Sequence, residues 1–422
     1  MFSVSRGQFG PDFVFGAATA AYQIEGGQTD GMGTSIWDTF SRTPGNVVGG
    51  DTGEVACDHY TRWPADLDLL RDGGFDAYRF SFAWPRLIPG GTGQANQAGI
   101  DFYDRLIDGM LERGIKPFAT LYHWDLPSEL QDRGGWMNRD IAAWFADYAT
   151  LVTEKFGDRL HATATINEPW CVAFLSHFLG VHAPGYRDMR AAARAMHHVL
   201  YAHGKGIEAM RAAGGTNLGI VCNFEWTEPL TDGDGDKLAA HTWDGIFNRW
   251  FLDGLHKGQY PADILAGFGD NMPKGFEDDM KTVSTPIDWM GVNYYTRGIY
   301  AHDPSRHTFP LKKIDGPLEK TDIGWEIYPE GLEQILVRIH KDYVGDLPLF
   351  VTENGMAEVE GDDDPRRVAY YDAHLQAVSH AKSHGANMQG YFAWSLLDNY
   401  EWAEGYAKRF GIVHVDFETQ AR

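Results

Sequence analysis

The sequence predicts an α/β fold, a single (β/α)8 barrel spanning residues 1–422 as one catalytic domain. Three observations lead there. Eight short, nearly continuous apolar runs recur along the chain, helical patterns lie between them, and polar or aromatic residues stand at their C-terminal ends. Apolar strands alternating with helices make a parallel sheet covered on both faces. Eight such units close into a barrel whose site gathers where the strand C-termini converge. A doubly wound open sheet is the structural rival. No G-x-G-x-x-G follows the first run, which weakens the dinucleotide-binding form of that rival.

Each element has its own signal. The first run, FVFGAATAAY (13–22), leads to Gln23. FDAYRFSFAW (75–84) carries Arg79 and Trp84. AGIDFYDRLIDGMLERG (98–114) repeats apolar residues at three- and four-residue spacing and stops at Gly, a helix with its terminator. IKPFATLYHW (115–124) ends in His123 and Trp124. NRDIAAWFADYATLVTEKFG (138–157) is again helical. HATATINEP (161–169) delivers Asn167 and Glu168. NLGIVCNFEW (217–226) is the fifth run, and IDWMGVNYYT (287–296) the sixth, with Asn293 and Tyr295. Helix YPEGLEQILVRIHKDY (328–343) precedes LPLFVTENG (347–355), which carries Glu353. Helix DPRRVAYYDAHLQAVSHAKSHG (364–385) leads to the eighth run, QGYFAWSLLDN (389–399), with Trp394.

Composition bounds the partners. Of the 422 residues 43% are hydrophobic and 23% charged, ordinary for a globular chain with ample core. A formal net charge of −23 repels phosphate backbones and anionic membranes, so neither nucleic acid nor a membrane is expected as a partner. Three cysteines without C-x-x-C spacing argue against a disulfide framework or zinc knot. The N-terminus lacks an apolar signal core, and no run reaches the roughly 18 apolar residues of a membrane span. A cytoplasmic protein is expected. Oligomeric state has no signature.

Amides, carboxylates, an imidazole and indoles at one barrel rim imply a built pocket, because buried polar groups without partners cost free energy. Glu168 on the fourth run and Glu353 on the seventh are expected to face each other across the mouth. Two such carboxylates among aromatic rings suit glycosidic bond cleavage. One gives a proton to the leaving oxygen and the other attacks the anomeric carbon.

The chain resembles glycoside hydrolase family 1, the β-glucosidase family, along almost its whole length. FVFGAATAAYQIEGG is similar to the N-terminal signature, TINEP to the acid/base motif, FVTENG to the nucleophile motif, and YFAWSLLDNYEWAEGYAKRFGIVHVDF to the closing sugar-binding block. The resemblance implies Glu353 as nucleophile and Glu168 as acid/base, with Arg79 and Tyr295 contacting the nucleophile. Asn167 and Asn293 lie beside the carboxylates. Gln23, His123, Trp124, Trp394, Glu401 and Trp402 match the residues that hold the non-reducing sugar, and Trp325 matches a leaving-group wall. No cofactor or metal is implied. Arg79 and Tyr295 favour the Glu353 anion, while a desolvated Glu168 facing it should hold its proton. The implied reaction is double displacement with retention, which needs carboxyl groups roughly 5–5.5 Å apart.

Glu401 separates this chain from the 6-phospho branch of the family, so unphosphorylated β-glucosides are expected: cellobiose, flavonoid glycosides, aryl or alkyl glucosides. β-Galactosides or β-fucosides at the same pocket are the alternative. Trp170 and Leu175 resemble entrance residues of glucose-tolerant members, or simply pack the following helix. The resemblance also implies a further outer helix beyond VDFETQAR, without which the last strand should be uncovered and the chain less stable.

Other features have plain readings. His197, His198 and His203 lie on a helical stretch without an H-E-x-x-H pattern and are expected at its surface or core. TDGDGD (231–236) lacks the closing Glu of a calcium loop and is expected as a polar loop. EGDDDPRR (360–367) is expected as a solvated loop with Pro365 opening a helix. Cys171 is expected to pack rather than react. A binding barrel that lost its chemistry should lack one carboxylate, and a metal-dependent hydrolase needs more strand-end ligands than His123 alone.

Overall fold

The computed structural model describes residues 2–358 and 364–422. Its strands are β1 (Val14–Ala18), β2 (Ala77–Ser81), β3 (Lys116–Tyr122), β4 (Ala162–Asn167), β5 (Leu218–Pro229), β6 (Trp289–His302), β7 (Leu311–Ile314), β8 (Leu349–Asn354) and β9 (Met388–Trp394). β1 pairs in parallel with β2 and β9, and parallel pairing continues through β3, β4, β5, β6 and β8 back to β9. The eight apolar runs therefore close the barrel. β7 is outside it: the long β6 runs past the rim and turns back as an antiparallel hairpin, Ile299 opposite Ile314.

The main covering helices are α1 (His59–Asp72), α2 (Gln97–Glu112), α3 (Ile141–Phe156), α4 (Met189–Ala212), α5 (Asp234–Asp244), α6 (Trp250–Lys257), α7 (Pro329–Ile339) and α8 (Pro365–Ser383). α2 shows why these segments fold as they do. Its Ile100, Phe102, Tyr103, Leu106, Ile107 and Met110 are buried on one face, and Asp101, Arg105 and Asp108 lie opposite. α8 starts at Pro365, as expected, with the Asp364 side chain accepting from the Arg367 N–H. Residues 360–363 of that stretch lie outside the described residues.

Inside the barrel, Phe118 packs edge-on against Phe350 and Phe392 at centroid distances of 5.5 and 4.9 Å, with Trp289 against Phe350 at 5.5 Å. Small residues face these large ones. A Cβ at Gly16 would lie 2.5 Å from the Phe392 ring, and one at Gly219 2.7 Å from the Trp289 indole. This aromatic plug fills the barrel below the rim, so polar groups gather only above it.

Two expectations need correction. The TDGDGD stretch is only half loop, because Asp234–Asp236 form the first turn of α5, where acidic residues favour the helix dipole. The last strand is not uncovered: Tyr391 is buried and packs edge-on against Tyr371 of α8, and its hydroxyl donates to Asn354 Oδ1. His197, His198 and His203 all lie on the buried side of α4. They bond to Tyr260 and Asp279, to the Trp136 carbonyl, and to the Thr165 hydroxyl respectively. Among the described residues no helix is long and apolar enough to cross a membrane.

Candidate active site

The C-terminal ends of the strands bring the expected residues into one connected network. Asn167 closes β4 and Glu168 follows it with φ +50°, a left-handed conformation that strains a non-glycine residue. The Glu168 N–H donates to the Val221 carbonyl at 2.9 Å, which holds this turn against β5. Trp124 (φ +81°) and Trp402 (φ +52°) adopt left-handed conformations too. Strain that the surrounding structure over-determines is usual where side chains must be aimed.

Glu353 is anchored by cationic and hydroxyl donors. Arg79 Nη1 donates to its Oε1 at 2.5 Å, and the Tyr295 hydroxyl donates to its Oε2 at 2.7 Å. Arg79 is itself buried, and its Nη2 donates to Asn167 Oδ1 at 2.7 Å. Glu168 has neutral donors instead: Asn293 Nδ2 at 2.7 Å on Oε1 and the Cys171 thiol at 3.0 Å on Oε2. Asn293 Nδ2 also reaches Asn167 Oδ1 at 3.1 Å, and its own Oδ1 accepts from the Thr352 hydroxyl. The network thus ties β4, β6 and β8 together. Burial first, and the charge of Glu353 second, push the Glu168 carboxyl up to about 8, against opposing pulls from Asn293, Cys171 and Arg79.

The remaining polar residues form one wall. Gln23 Nε2 donates to Asn399 Oδ1 and the Tyr400 carbonyl, both at 2.9 Å, and approaches Glu401 Oε2 at 3.5 Å. Asn167 Nδ2 donates to His123 Nε2 at 3.0 Å, so the ring proton sits on Nδ1. Burial and Arg79 hold this imidazole well below its usual range, hence neutral. Gln23 Oε1, an acceptor, and His123 Nδ1, a donor, are buried without a protein partner. Such atoms suit the hydroxyls of a ligand. Desolvation, then Glu353 and Glu168, push Glu401 up to about 8.

Aromatic rings enclose this wall. His123 stacks on Trp394 at 5.9 Å and on Trp402 at 6.0 Å, and Trp124 meets Trp402 at 4.5 Å. Trp325 stands 5.3 Å from Tyr295, on the Glu353 side. Two rings were not anticipated from the sequence. Trp37 lies 4.6 Å from Trp402, and His182 lies 5.2 Å from both Trp37 and Trp124. Trp37 comes from a helix of only seven residues, Ile36–Arg42, and His182 from a loop, and neither segment is long enough to show a period. Trp170 packs into a separate aromatic group with Phe174, Trp243 and Phe247, as its packing reading expected, and Leu175 is partly buried. Cys171 is packed and its thiol is pushed far up by burial, yet it also contacts Glu168, which sequence spacing alone did not reveal.

Comparisons with known proteins identify the family of the chain. The family model described as "Glycosyl hydrolase family 1" matches residues 5–422. The chain is 48% identical to a protein named "Beta-glucosidase" from Agrobacterium sp. (strain ATCC 21400), covering 98% of this chain and 92% of that one. It is 44% identical to a "Bifunctional beta-D-glucosidase/beta-D-fucosidase" from Bifidobacterium breve, covering 98% and 95%. Among solved structures it is similar to the "Beta-glucosidase from Thermotoga maritima in complex with deoxynojirimycin", with a TM-score of 0.95, 46% identity, and coverage of 98% of this chain and 95% of that one.

Proposed function

The chain belongs to glycosyl hydrolase family 1, and from that premise we propose that it is a retaining β-glucosidase acting on unphosphorylated β-D-glucosides from the non-reducing end. One observation carries the reading: two buried carboxyl groups at facing strand ends have opposite electrostatic settings. Glu353, ion-paired with Arg79, is the nucleophile. Glu168, whose carboxyl is raised to about 8, is protonated at neutral pH and is the acid.

In the first step a Glu353 oxygen attacks the anomeric carbon while Glu168 gives its proton to the aglycone oxygen. The glycosidic C–O bond breaks and a glycosyl ester forms on Glu353. Esterification removes the Glu353 charge, which is the second cause of the raised Glu168 carboxyl. Glu168, now an anion, therefore becomes a weaker base than in the free enzyme yet is poised to take a proton from water. That water attacks the anomeric carbon, frees Glu353, and returns the proton to Glu168. Two inversions give net retention.

Gln23, His123, Asn167, Trp124, Trp394, Glu401 and Trp402 hold the glucosyl unit, with indole faces against its C–H surfaces and the polar wall on its hydroxyls. Asn293 and Tyr295 orient the two carboxyl groups, and Trp325 lines the aglycone side. The charged groups that act on the Glu401 carboxyl, Glu353, Glu168 and Glu404, are all acidic, and Arg79 is engaged by Glu353 and Asn167. A 6-phosphate would find no counter-charge there, which favours unphosphorylated glycosides such as cellobiose and aryl or alkyl glucosides. The protein acts as one catalytic domain in the cytoplasm. The bifunctional name of the Bifidobacterium relative favours β-fucosides as a second substrate class.

The test is proton NMR of aryl β-glucoside hydrolysis from its first moments, with the β-galactoside, β-fucoside and 6-phospho-β-glucoside in parallel. β-Glucose should appear first and mutarotate later. α-Glucose first would remove Glu353 as nucleophile. Faster turnover of the 6-phospho compound would overturn the role of Glu401.

A further inference from the structure

Outside the barrel, a cavity of about 490 Å³ opens between the chain leading into α3, the first half of α4 and the 270–274 loop. Arg190, Arg194 and His198 line it at four-residue spacing, one face of α4, and Arg139 and Lys274 approach from the neighbouring segments. Arg139 is answered by Asp279 in a two-pronged ion pair. Arg190, Arg194 and Lys274 have no ion-pair partner among the described residues. Arg190 Nη1 only reaches the Asp270 carbonyl, at 3.5 Å, and the exposed Asp270 carboxylate is the one acidic group on the cavity wall. In a chain of net charge −23 this is a positive island. Like charges at four-residue spacing on a helix oppose folding, so the arrangement is not explained by stability.

The buried atoms add direction. Arg194 Nε and His198 Nε2 are buried without a protein partner, and His198 is only 2% exposed. His198 Nδ1 lies 3.0 Å from the Trp136 carbonyl, which can only accept, so Nδ1 carries the proton and Nε2 presents a lone pair. Burial, with His197, Arg139 and Arg194 nearby, pushes this imidazole down to about 4, so it stays neutral at physiological pH; only the Trp136 carbonyl pulls the other way. The cavity therefore offers guanidinium and ammonium donors for an oxyanion, and a buried acceptor, His198 Nε2, for a hydroxyl. Its volume falls in the range of small-molecule sites, roughly 300–1,000 Å³, and exceeds what a bare ion needs. Guanidinium groups match phosphate oxygens in bidentate geometry.

We propose that this cavity is a second ligand site, separate from the carboxylate pocket, which takes a small phosphate-bearing polyol of the sugar phosphate class. Arg190, Arg194 and Lys274 hold the phosphate, and His198 Nε2 accepts from a ligand hydroxyl.

Isothermal titration of the intact protein with glucose 6-phosphate, inorganic phosphate, glucose and sodium sulfate at matched ionic strength tests this. Glucose 6-phosphate should bind more tightly than sulfate, and glucose should not bind at this site. Arg194→Gln and Lys274→Gln should each weaken binding about tenfold or more, the scale of one lost charge-assisted contact. Their melting temperatures without ligand should be unchanged or higher. Tighter binding of inorganic phosphate than of the ester would overturn the polyol assignment. Equal binding of sulfate, or wild-type affinity in both variants, would overturn the site. Lys274 is exposed on a loop, so K274Q keeps the test valid if R194Q does not fold.

Discussion

Glu168 and Glu353 are the same side chain at the ends of two barrel strands, 5% and 3% exposed, yet their surroundings differ in kind. Glu353 meets a guanidinium and a phenol hydroxyl; Glu168 meets an amide and a thiol. A cation answers the charge of one carboxylate. Neutral donors leave burial and the facing negative charge to dominate the other, whose carboxyl rises to about 8. Two chemically identical groups thereby acquire different electrostatic settings, which is what an acid and a nucleophile need. The difference lies in what the neighbouring strands supply: β2 brings Arg79 to one, and the turn after β4 brings Cys171 to the other.

The most severe way to break the comparison is to delete the proposed nucleophile. Glu353→Gln should lower kcat on the order of 10⁵–10⁶-fold, the scale found when a covalent nucleophile is lost, with folding intact by circular dichroism. Glu168→Gln should cost less, about 10²–10⁴-fold. Its loss should grow as the leaving group becomes more basic, so an alkyl glucoside should suffer more than a dinitrophenyl glucoside. Equal losses on both would deny Glu168 the acid role.

Changing the supports sharpens the contrast. Arg79→Met leaves a buried carboxylate without its cation, an effect of about 3–5 kcal/mol on stability by denaturant unfolding. Arg79 also lowers the Glu168 carboxyl, so the basic limb of any residual activity should move to higher pH. In the unaltered protein that limb should fall through about pH 8 as Glu168 loses its proton. Stability follows the same sign. Glu168 and Glu401 hold protons more tightly when folded than unfolded, so their contribution is full below their ordinary range near 4.5 and is lost as pH rises through about 8. Melting temperature should therefore decline between pH 5 and pH 9 beyond what surface charge explains, and less so in E401Q.

The smallest effect is expected from Cys171→Ala. Removing the thiol donor should raise the Glu168 carboxyl further and shift the basic limb upward by a fraction of a pH unit, with kcat changed only a few-fold. A limb that stays fixed would make Cys171 a packing residue alone.

Much of this was legible in the sequence because strand-end residues are pinned by local patterns. Asn167, Glu168, Asn293 and Glu353 each follow an apolar run whose burial fixes where the chain emerges. Trp37 and His182 were not legible, since Trp37 sits on a helix of only seven residues, Ile36–Arg42, and His182 on a loop, and neither carries a readable period. The Cys171 contact was equally hidden. It depends on which way the helical turn after Glu168 aims the Cys171 thiol, which the sequence does not state. The β7 hairpin escaped because its strand is short and largely exposed, with only Leu311 buried.

The central claim is that the charge on Glu353 helps keep Glu168 protonated. Carbon-13 NMR titration of labelled Glu168, in the free enzyme and after Glu353 is esterified by a 2-deoxy-2-fluoroglucoside, measures that coupling directly. The account predicts a carboxyl titrating near 8 in the free enzyme and clearly lower in the ester. A Glu168 carboxyl that titrates in its ordinary range in the free enzyme, or does not move on esterification, would contradict it.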